Sequence, residues 1–310
     1  MLTFAEKIAM TSKILVFPFR LMLLVALAAT VLFTTACKKD APEVPDYSAT
    51  DREIIKQYLS AHAITTAQAQ PSGLYFLPVR TNPTGMPIVA GNTVSILYTG
   101  HLLDAAGTVF DASSQHNNVP YPIKVGGGQL IPGFEEGLKL MHMGDKAEFI
   151  IPSGLAFGPG GSAPTVPANA VVRFEVEVVD LPVFEDNLIS AYLDAHRITT
   201  AQKRPSGLYF LPLTTNSTAA LPTTGKQITV SYTGHLLNTA GTVFDSGNFT
   251  FTFGRGQVIA GFEEGIGLMH KGDKAELFIP SALAYGTQGA GTSVPANSVL
   301  RFEVEIVNIQ

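Results

Sequence analysis

The sequence predicts an α+β protein built from two like domains, and three observations carry that prediction. First, Ser72-Gly73-Leu74-Tyr75-Phe76-Leu77-Pro78 returns unchanged as Ser206-Gly207-Leu208-Tyr209-Phe210-Leu211-Pro212, 134 positions later. Second, each copy closes on a strictly alternating segment. Phe174, Val176 and Val178 oppose Arg173, Glu175 and Glu177, as Phe302, Val304 and Ile306 oppose Arg301, Glu303 and Glu305. Period-2 alternation is the mark of a half-buried strand. Third, each copy carries a short apolar stripe at helical spacing, Phe134, Leu138 and Met141 in one and Phe262, Ile266 and Met269 in the other. The repeat far exceeds a solenoid unit of about 50 residues, and roughly 130 residues suffice for an independent core. An antiparallel sheet with one helix packed on a face follows.

Taken in order, the first 37 residues read as a targeting leader, outside the fold. Lys7, Lys13 and Arg20 precede the uncharged run Leu21–Phe33, which is short of the roughly 20 residues a membrane span needs. Thr34-Thr35-Ala36-Cys37 follows and resembles a bacterial lipoprotein signal, with Cys37 the lipidated residue. Lys38 rather than aspartate after it points toward the outer membrane of a Gram-negative cell envelope. Residues 38–50 are polar and contain proline, as a tether does. The first domain is assigned to 51–182 and the second to 183–310.

Each domain opens with a helix, from Asp51 and from Asp186, whose apolar residues fall on one side: Ile54, Ile55, Tyr58 and Leu59, then Leu188, Ile189, Tyr192 and Leu193. Ser72-Gly73 and Ser206-Gly207 break into strands. Val94, Ile96 and Tyr98 alternate with Ser95, Leu97 and Thr99, and Ile228, Val230 and Tyr232 repeat the pattern. From Gly126 the offset between copies falls to 128, so the second copy lacks six residues. The surplus lies in Ala112–Pro120, where it overhangs whatever the sheet encloses. Pro132 suits a helix start, and Gly144 and Gly272 suit a stop. Lys146–Pro152 and Lys274–Pro280 are further strands. Leu181-Pro182-Val183 marks the junction, with about four residues between sheet and helix.

Composition excludes several kinds of chemistry. A net charge of −5 and the absence of a basic run argue against nucleic acid. Cys37 is the single cysteine, so there is neither a disulfide framework nor a cysteine nucleophile. Six of seven histidines are the repeat pairs His62/His196, His101/His235 and His142/His270, none at zinc-ligand spacing. No Gly-x-Ser-x-Gly context marks a serine nucleophile. Gly126-Gly127-Gly128 lacks the Gly-Lys-Ser/Thr ending of a phosphate loop, and the second copy has Gly254-Arg255-Gly256 instead. No metal and no cofactor are expected.

What both copies retain is aromatic and aliphatic, with one carboxylate. The pieces are Tyr232-Thr233-Gly234, Val243-Phe244-Asp245, Val258-Ile259-x-Gly261-Phe262-Glu263-Glu264-Gly265, Ile279-Pro280 followed by Ala284-Tyr285-Gly286, and Val294-Pro295-Ala296-Asn297 leading to Phe302. Their order resembles the FKBP family of peptidyl-prolyl cis–trans isomerases over about 90 residues in each copy.

The resemblance implies two FKBP-like domains, each a curved antiparallel sheet wrapped on a short helix; the helices read from Asp51 and Asp186 precede them as extra N-terminal helices. It implies an apolar pocket between sheet and helix that seats a proline ring. Phe134 and Phe262 would be the floor, where the family normally has tryptophan. Tyr98, Tyr121 and Phe174 would wall the first pocket, and Tyr232, Phe249 and Phe302 the second. Phe110, Leu130, Phe157 and Val166, with Phe244, Val258 and Val294, would complete the linings. The Ile131 and Ile259 N–H groups would hold a substrate carbonyl, and Tyr285 would offer its hydroxyl. Asp111 and Asp245 would meet the twisted amide carbonyl or hold Tyr98 and Tyr232. Phe157 in place of Tyr285 and the longer first-copy segment make the second domain the expected better isomerase. The expected partners are proline-containing segments of unfolded or exported proteins, and a membrane through the lipid anchor. The alternative is a peptide-binding chaperone, or holdase, with little turnover.

Overall fold

Alternating strands with one apolar side need a partner layer, and here each sheet receives one on both faces. The computed structural model describes residues 46–238 and 240–310. The leader, Cys37 and residues 38–45 of the expected tether lie outside them, and the last three tether residues, Ser48–Thr50, belong to the first helix instead. Helix α1 (Ser48–Ala61) comes first, then β1 (Gln68–Ala69), β2 (Tyr75–Arg80), β3 (Thr93–Leu102), β4 (Val109–Ala112) and β5 (Tyr121–Lys124). Helix α2 (Pro132–Leu138), β6 (Lys146–Ile151) and β7 (Val172–Val179) complete the first domain. The second repeats the series: α3 (Leu181–Ala195), β8 (Gln202–Lys203), β9 (Tyr209–Thr214), β10 (Gln227–Leu236), β11 (Val243–Thr252), α4 (Ala260–Ile266), β12 (Lys274–Ile279) and β13 (Leu300–Ile309). Among the described residues no helix is long and apolar enough to cross a membrane.

Every strand pairing is antiparallel. The sheets run β1-β2-β6-β7-β3-β4, with β5 also on β3, and β11-β10-β13-β12-β9-β8. The six-residue difference changes one element only. In the first domain β4 breaks into a 3-10 turn, Ser113–His116, before β5 resumes pairing with β3; in the second, β11 runs unbroken along β10.

The concave sheet faces close on α2 and α4. Phe134 and Leu138 are buried there with Phe149, Phe174 and Val176, as Phe262 and Ile266 are with Leu277, Phe302 and Val304. The closing strands keep their predicted alternation, with Phe174 and Val176 buried and Arg173 and Glu175 half-buried. The opposite faces are covered by α1 and α3. Ile55, 1% exposed, packs with Leu77, Ile150 and Val171, and Ile189 packs with Tyr209, Leu211 and Phe278. Fully burying one such isoleucine contributes about 1.5–3 kcal/mol.

Several element boundaries differ from the sequence expectation: α2 and α4 end at Leu138 and Ile266, so Met141 and Met269 lie beyond the helices and Gly144 and Gly272 stop neither. Helix α1 begins at Ser48, three residues before Asp51. Helix α3 begins at Leu181, with only Asp180 between it and β7, so Leu181-Pro182-Val183 is its first turn rather than a linker. Proline lacks only an N–H that a first-turn residue would leave unbonded anyway. A proline read as a break thus starts the helix.

The domains also touch through side chains. Asn297, 2% exposed, donates its Nδ2 to Ser95 Oγ at 3.0 Å and to the Pro120 carbonyl at 2.8 Å. Ser95 stands on the polar side of its strand yet is 7% exposed, because the second domain covers it.

Candidate active site

Glycine sets the base of each pocket. At Gly234 in β10 an added Cβ would lie 2.7 Å from Phe244 Cζ and 2.9 Å from Phe302 Cε1. Only a residue without a side chain lets those two rings approach the strand. Phe244 meets Phe302 edge to face at 5.6 Å and 89°, and Phe262 from α4 meets Phe302 at 5.0 Å and 70°. The first domain repeats the cluster. Phe110 stands on Phe174 at 5.4 Å and 87°, and Phe134 on Phe174 at 5.0 Å and 90°. Edge-to-face aromatic pairs add about 0.5–1.5 kcal/mol each beyond burial, so floor and wall are rigid.

Above this base the second domain holds a cavity of about 440 Å³. Tyr232, Phe249 and Phe302 wall it over the Phe262 floor. Phe244, Val258 and Ile259 complete its apolar lining, and Asp245 and Tyr285 bring polar groups to its edge. Gln257 also lines it, its Oε1 accepting the Thr252 N–H at 2.7 Å. Phe249 is 45% exposed and stacks on Phe251 at 6.2 Å, so this wall is a rim. Val294 does not line the cavity: at 3% exposure it belongs to the core behind it, where the turn hydrogen bonds between Ala290 and Val294 hold it. Val166 is likewise core, 2% exposed. Tyr121 sits on β5 opposite Ile96, 37% exposed, and Leu130 and Ile131 pack partly buried against the first core.

The carboxylates hold the tyrosines. Tyr232 Oη donates to Asp245 Oδ2 at 2.7 Å, and Tyr98 Oη to Asp111 Oδ2 at 2.9 Å. The strand pair β10–β11 sets this geometry, with Gly234 opposite Asp245 and a register shift just beyond. Burial first, then the hydrogen bond and charge of Asp245, push the Tyr232 hydroxyl up to about 12. Burial and Asp111 raise Tyr98 further still. Burial, then the Asp245 charge, also raise Tyr285. Both second-domain hydroxyls therefore stay protonated at neutral pH and can donate.

The two sites differ in access. Asp245 is exposed and Tyr232 and Phe244 are half-buried, whereas Asp111, Phe110 and Tyr98 are 3%, 8% and 9% exposed. The surplus first-domain segment is responsible. Its His116 places Nε2 3.0 Å from Asp111 Oδ1, where in the second domain Asp245 Oδ1 accepts the Ser246 N–H at 2.9 Å. Phe157 then packs edge-on against Phe110 at 6.0 Å and 90°. The far end of the segment, Pro120, is the residue whose carbonyl Asn297 of the second domain holds. The sequence marks this segment as an overhang without singling out His116, and offers Asn297 only as a member of a retained motif, with no role. The one available signal for His116 is that it alone among the histidines has no counterpart in the other copy. Among the described residues no three His, Cys, Asp or Glu side chains cluster as metal ligands would.

Comparison with known proteins gives this geometry its family. The model of the FKBP-type peptidyl-prolyl cis-trans isomerase domain matches residues 85–179 and again 219–307. Peptidyl-prolyl cis-trans isomerase FKBP10 of Mus musculus is 33% identical over 225 residues, covering 71% of this chain and 35% of that protein. Peptidyl-prolyl cis-trans isomerase FKBP9 of Homo sapiens is 30% identical over 225 residues, with the same coverages of 71% and 35%. The chain thus spans about a third of the length of these relatives. A bacterial FK506-binding protein, from Neisseria meningitidis, is 49% identical over 90 residues, 27% of this chain and 81% of that protein. The aromatic base under both sheets, each Asp–Tyr pair and the two matched segments agree: the chain belongs to the FKBP-type peptidyl-prolyl cis–trans isomerase family and carries two copies of its domain.

Proposed function

We propose that the protein is a tandem peptidyl-prolyl isomerase acting on Xaa–Pro bonds of exported proteins, with the second domain the stronger catalyst. The observation that carries this reading is the open apolar cavity over Phe262 with Tyr232, Asp245 and Tyr285 at one edge. Rotating the Xaa–Pro amide breaks resonance, a barrier of about 18–20 kcal/mol, and takes roughly 10–100 s uncatalysed. The planar amide is more dipolar than the twisted one. A cavity that strips water from it raises the planar state relative to the twisted one. The Phe262 floor and Phe302 wall seat the ring, the Ile259 N–H takes a substrate carbonyl, and Tyr285 donates to the peptide. Asp245 holds Tyr232 and faces the rotating carbonyl. No bond is made or broken, so positioning and desolvation suffice.

A second reading applies to the first domain alone. His116 on a buried Asp111, and phenylalanine at 157, favour a pocket that grips apolar or proline-bearing segments with little turnover. The leader and Cys37 support anchoring by lipid in a Gram-negative cell envelope, toward the outer membrane.

Refolding of a protein limited by proline isomerisation tests the two readings together. An isomerase speeds the slow phase at a hundredth of the substrate concentration. A holdase suppresses aggregation only near stoichiometric amounts and leaves that phase unchanged, which would overturn the isomerase reading. Mass spectrometry of the membrane-extracted protein checks the anchor: a chain that begins at an acylated Cys37 supports it, and an unmodified Cys37 refutes it.

A further inference from the structure

The family match leaves out the leading segment of each domain, which includes α1 and β1–β2 in the first and α3 and β8–β9 in the second. Both leading segments hold the turn ahead of the pocket residue by matching contacts. Asp51 of α1, 2% exposed, accepts the Ser153 N–H at 2.9 Å and its hydroxyl at 2.7 Å. Glu185 of α3, 3% exposed and at the equivalent position, accepts the Ser281 N–H at 3.2 Å. Each serine opens a 3-10 turn, Ser153–Leu155 or Ser281–Leu283. Two residues later come Phe157 and Tyr285.

The same turns bear on the pocket floor. A Cβ on Gly261 of α4 would lie 3.1 Å from Leu283 Cβ and 2.4 Å from Ile279 Cγ2, and one on Gly133 of α2 would lie 3.2 Å from Leu155 Cβ. A further contact repeats as well. Ser72 Oγ donates to Glu136 Oε1 at 2.8 Å, and Ser206 Oγ to Glu264 Oε1 at 2.9 Å, both glutamates being on the floor helices.

A helix docked for stability alone would do better with an apolar residue at 51 and 185. Burying a carboxylate is costly unless it is paired and fully hydrogen-bonded, and here one oxygen of each, Asp51 Oδ1 and Glu185 Oε1, has no hydrogen-bond partner among the described residues. Such an orphan calls for an explanation. The contact also survives a change of residue between the copies, aspartate in one and glutamate in the other. We propose that Asp51 and Glu185 are positioning residues of the two isomerase sites. Each fixes the turn that leads to Phe157 or Tyr285 against the floor helix. The leading helix is then a working part of the pocket. The catalytic half of this inference rests on the isomerase reading; the positioning half does not.

The test uses the full chain with Glu185→Leu, which keeps apolar bulk but removes the acceptor, and Glu185→Gln, which keeps an acceptor. The rate left by an Asp245→Ala, Phe262→Ala double variant is subtracted as the first domain's share. Glu185→Leu is expected to lower the second domain's kcat/KM about fivefold without lowering the melting temperature, and Glu185→Gln to stay within about twofold of the parent. In a Tyr285→Phe background the Glu185→Leu loss shrinks below about twofold, because the group being positioned is gone. Amide exchange of residues 281–289 speeds up in Glu185→Leu while β12 and β13 are unchanged. A Glu185→Leu chain with parental exchange overturns the inference, as does an equal rate loss in both backgrounds. If the parent chain catalyses nothing, exchange still decides the positioning role, and the isomerase reading falls alone.

Discussion

Exchanging Tyr285 and Phe157 between the domains separates two causes of unequal activity, a missing hydroxyl and a covered pocket. A hydrogen bond contributes about 0.5–1.5 kcal/mol net, and about 1.36 kcal/mol is tenfold in rate. Losing the Tyr285 hydroxyl therefore costs about 2- to 13-fold in kcat/KM. Tyr285 is 37% exposed, so water competes for its hydroxyl, and the lower part of that range applies, about two- to fourfold for Tyr285→Phe. The reciprocal Phe157→Tyr is expected to gain less than about twofold. The Phe157 ring already lies edge-on to Phe110, and Asp111 beside it is 3% exposed under His116. Adding His116→Ala to Phe157→Tyr frees the Asp111 edge and allows the gain. The assay is cis–trans exchange of an Ala–Pro–Phe-type peptide followed by NMR on the full chain. An unchanged rate for Tyr285→Phe, or a Phe157→Tyr chain whose first domain matches the second, would refute the reasoning.

Three other outcomes follow from the same contacts. Gly234→Ala drives a methyl to 2.7 Å from Phe244 and 2.9 Å from Phe302; overpacking of this kind costs about 1–3 kcal/mol, and thermal unfolding should show the second domain melting earlier, with its isomerase activity reduced. Phe262→Trp introduces the one tryptophan of a chain that has none, so its emission should shift on titration with a proline peptide and stay constant with a peptide lacking proline. Burial raises the Glu185 carboxyl above its ordinary 4.5. Just above that pH the folded state keeps a proton the unfolded state has lost, so this group's contribution to stability falls as pH rises through the window. Urea unfolding from pH 4 to 7 should therefore show Glu185→Gln gaining on the parent as pH rises, and a constant difference would contradict it.

Much of this architecture is legible in the sequence because it depends on local periodicity and on the repeat. The alternation of Phe174, Val176 and Val178 with charged partners places one face of β7 on α2, and Phe262 and Ile266 place α4 beneath the second sheet, with Met269 buried just beyond the helix. The pocket aromatics follow from their order. What the sequence conceals is set between segments far apart in the chain. Val294 looks like lining in a motif, but only the folded turn shows it behind the cavity. Pro182 reads as a break until the strand before it ends at Val179 and leaves a helix start to fill. Ser95 reads as a solvent-facing residue, and its burial needs Asn297 from the other domain. His116 carries no pattern of its own; the 3-10 turn created by the surplus residues brings it back to Asp111. Asp51 reads as a helix-start carboxylate and Glu185 stands just ahead of the helix read from Asp186; both gain their meaning only from Ser153 and Ser281 across the fold.

The most direct test of two unequal proline pockets is the Xaa–Pro exchange rate catalysed by the full chain with one site disabled at a time. Asp245→Ala should remove most of the catalysis, and Asp111→Ala should leave most of it, because Asp245 lies at an open cavity and Asp111 is buried beneath His116. Equal losses from the two substitutions, or a parent chain that leaves the exchange at its uncatalysed rate, would contradict the account.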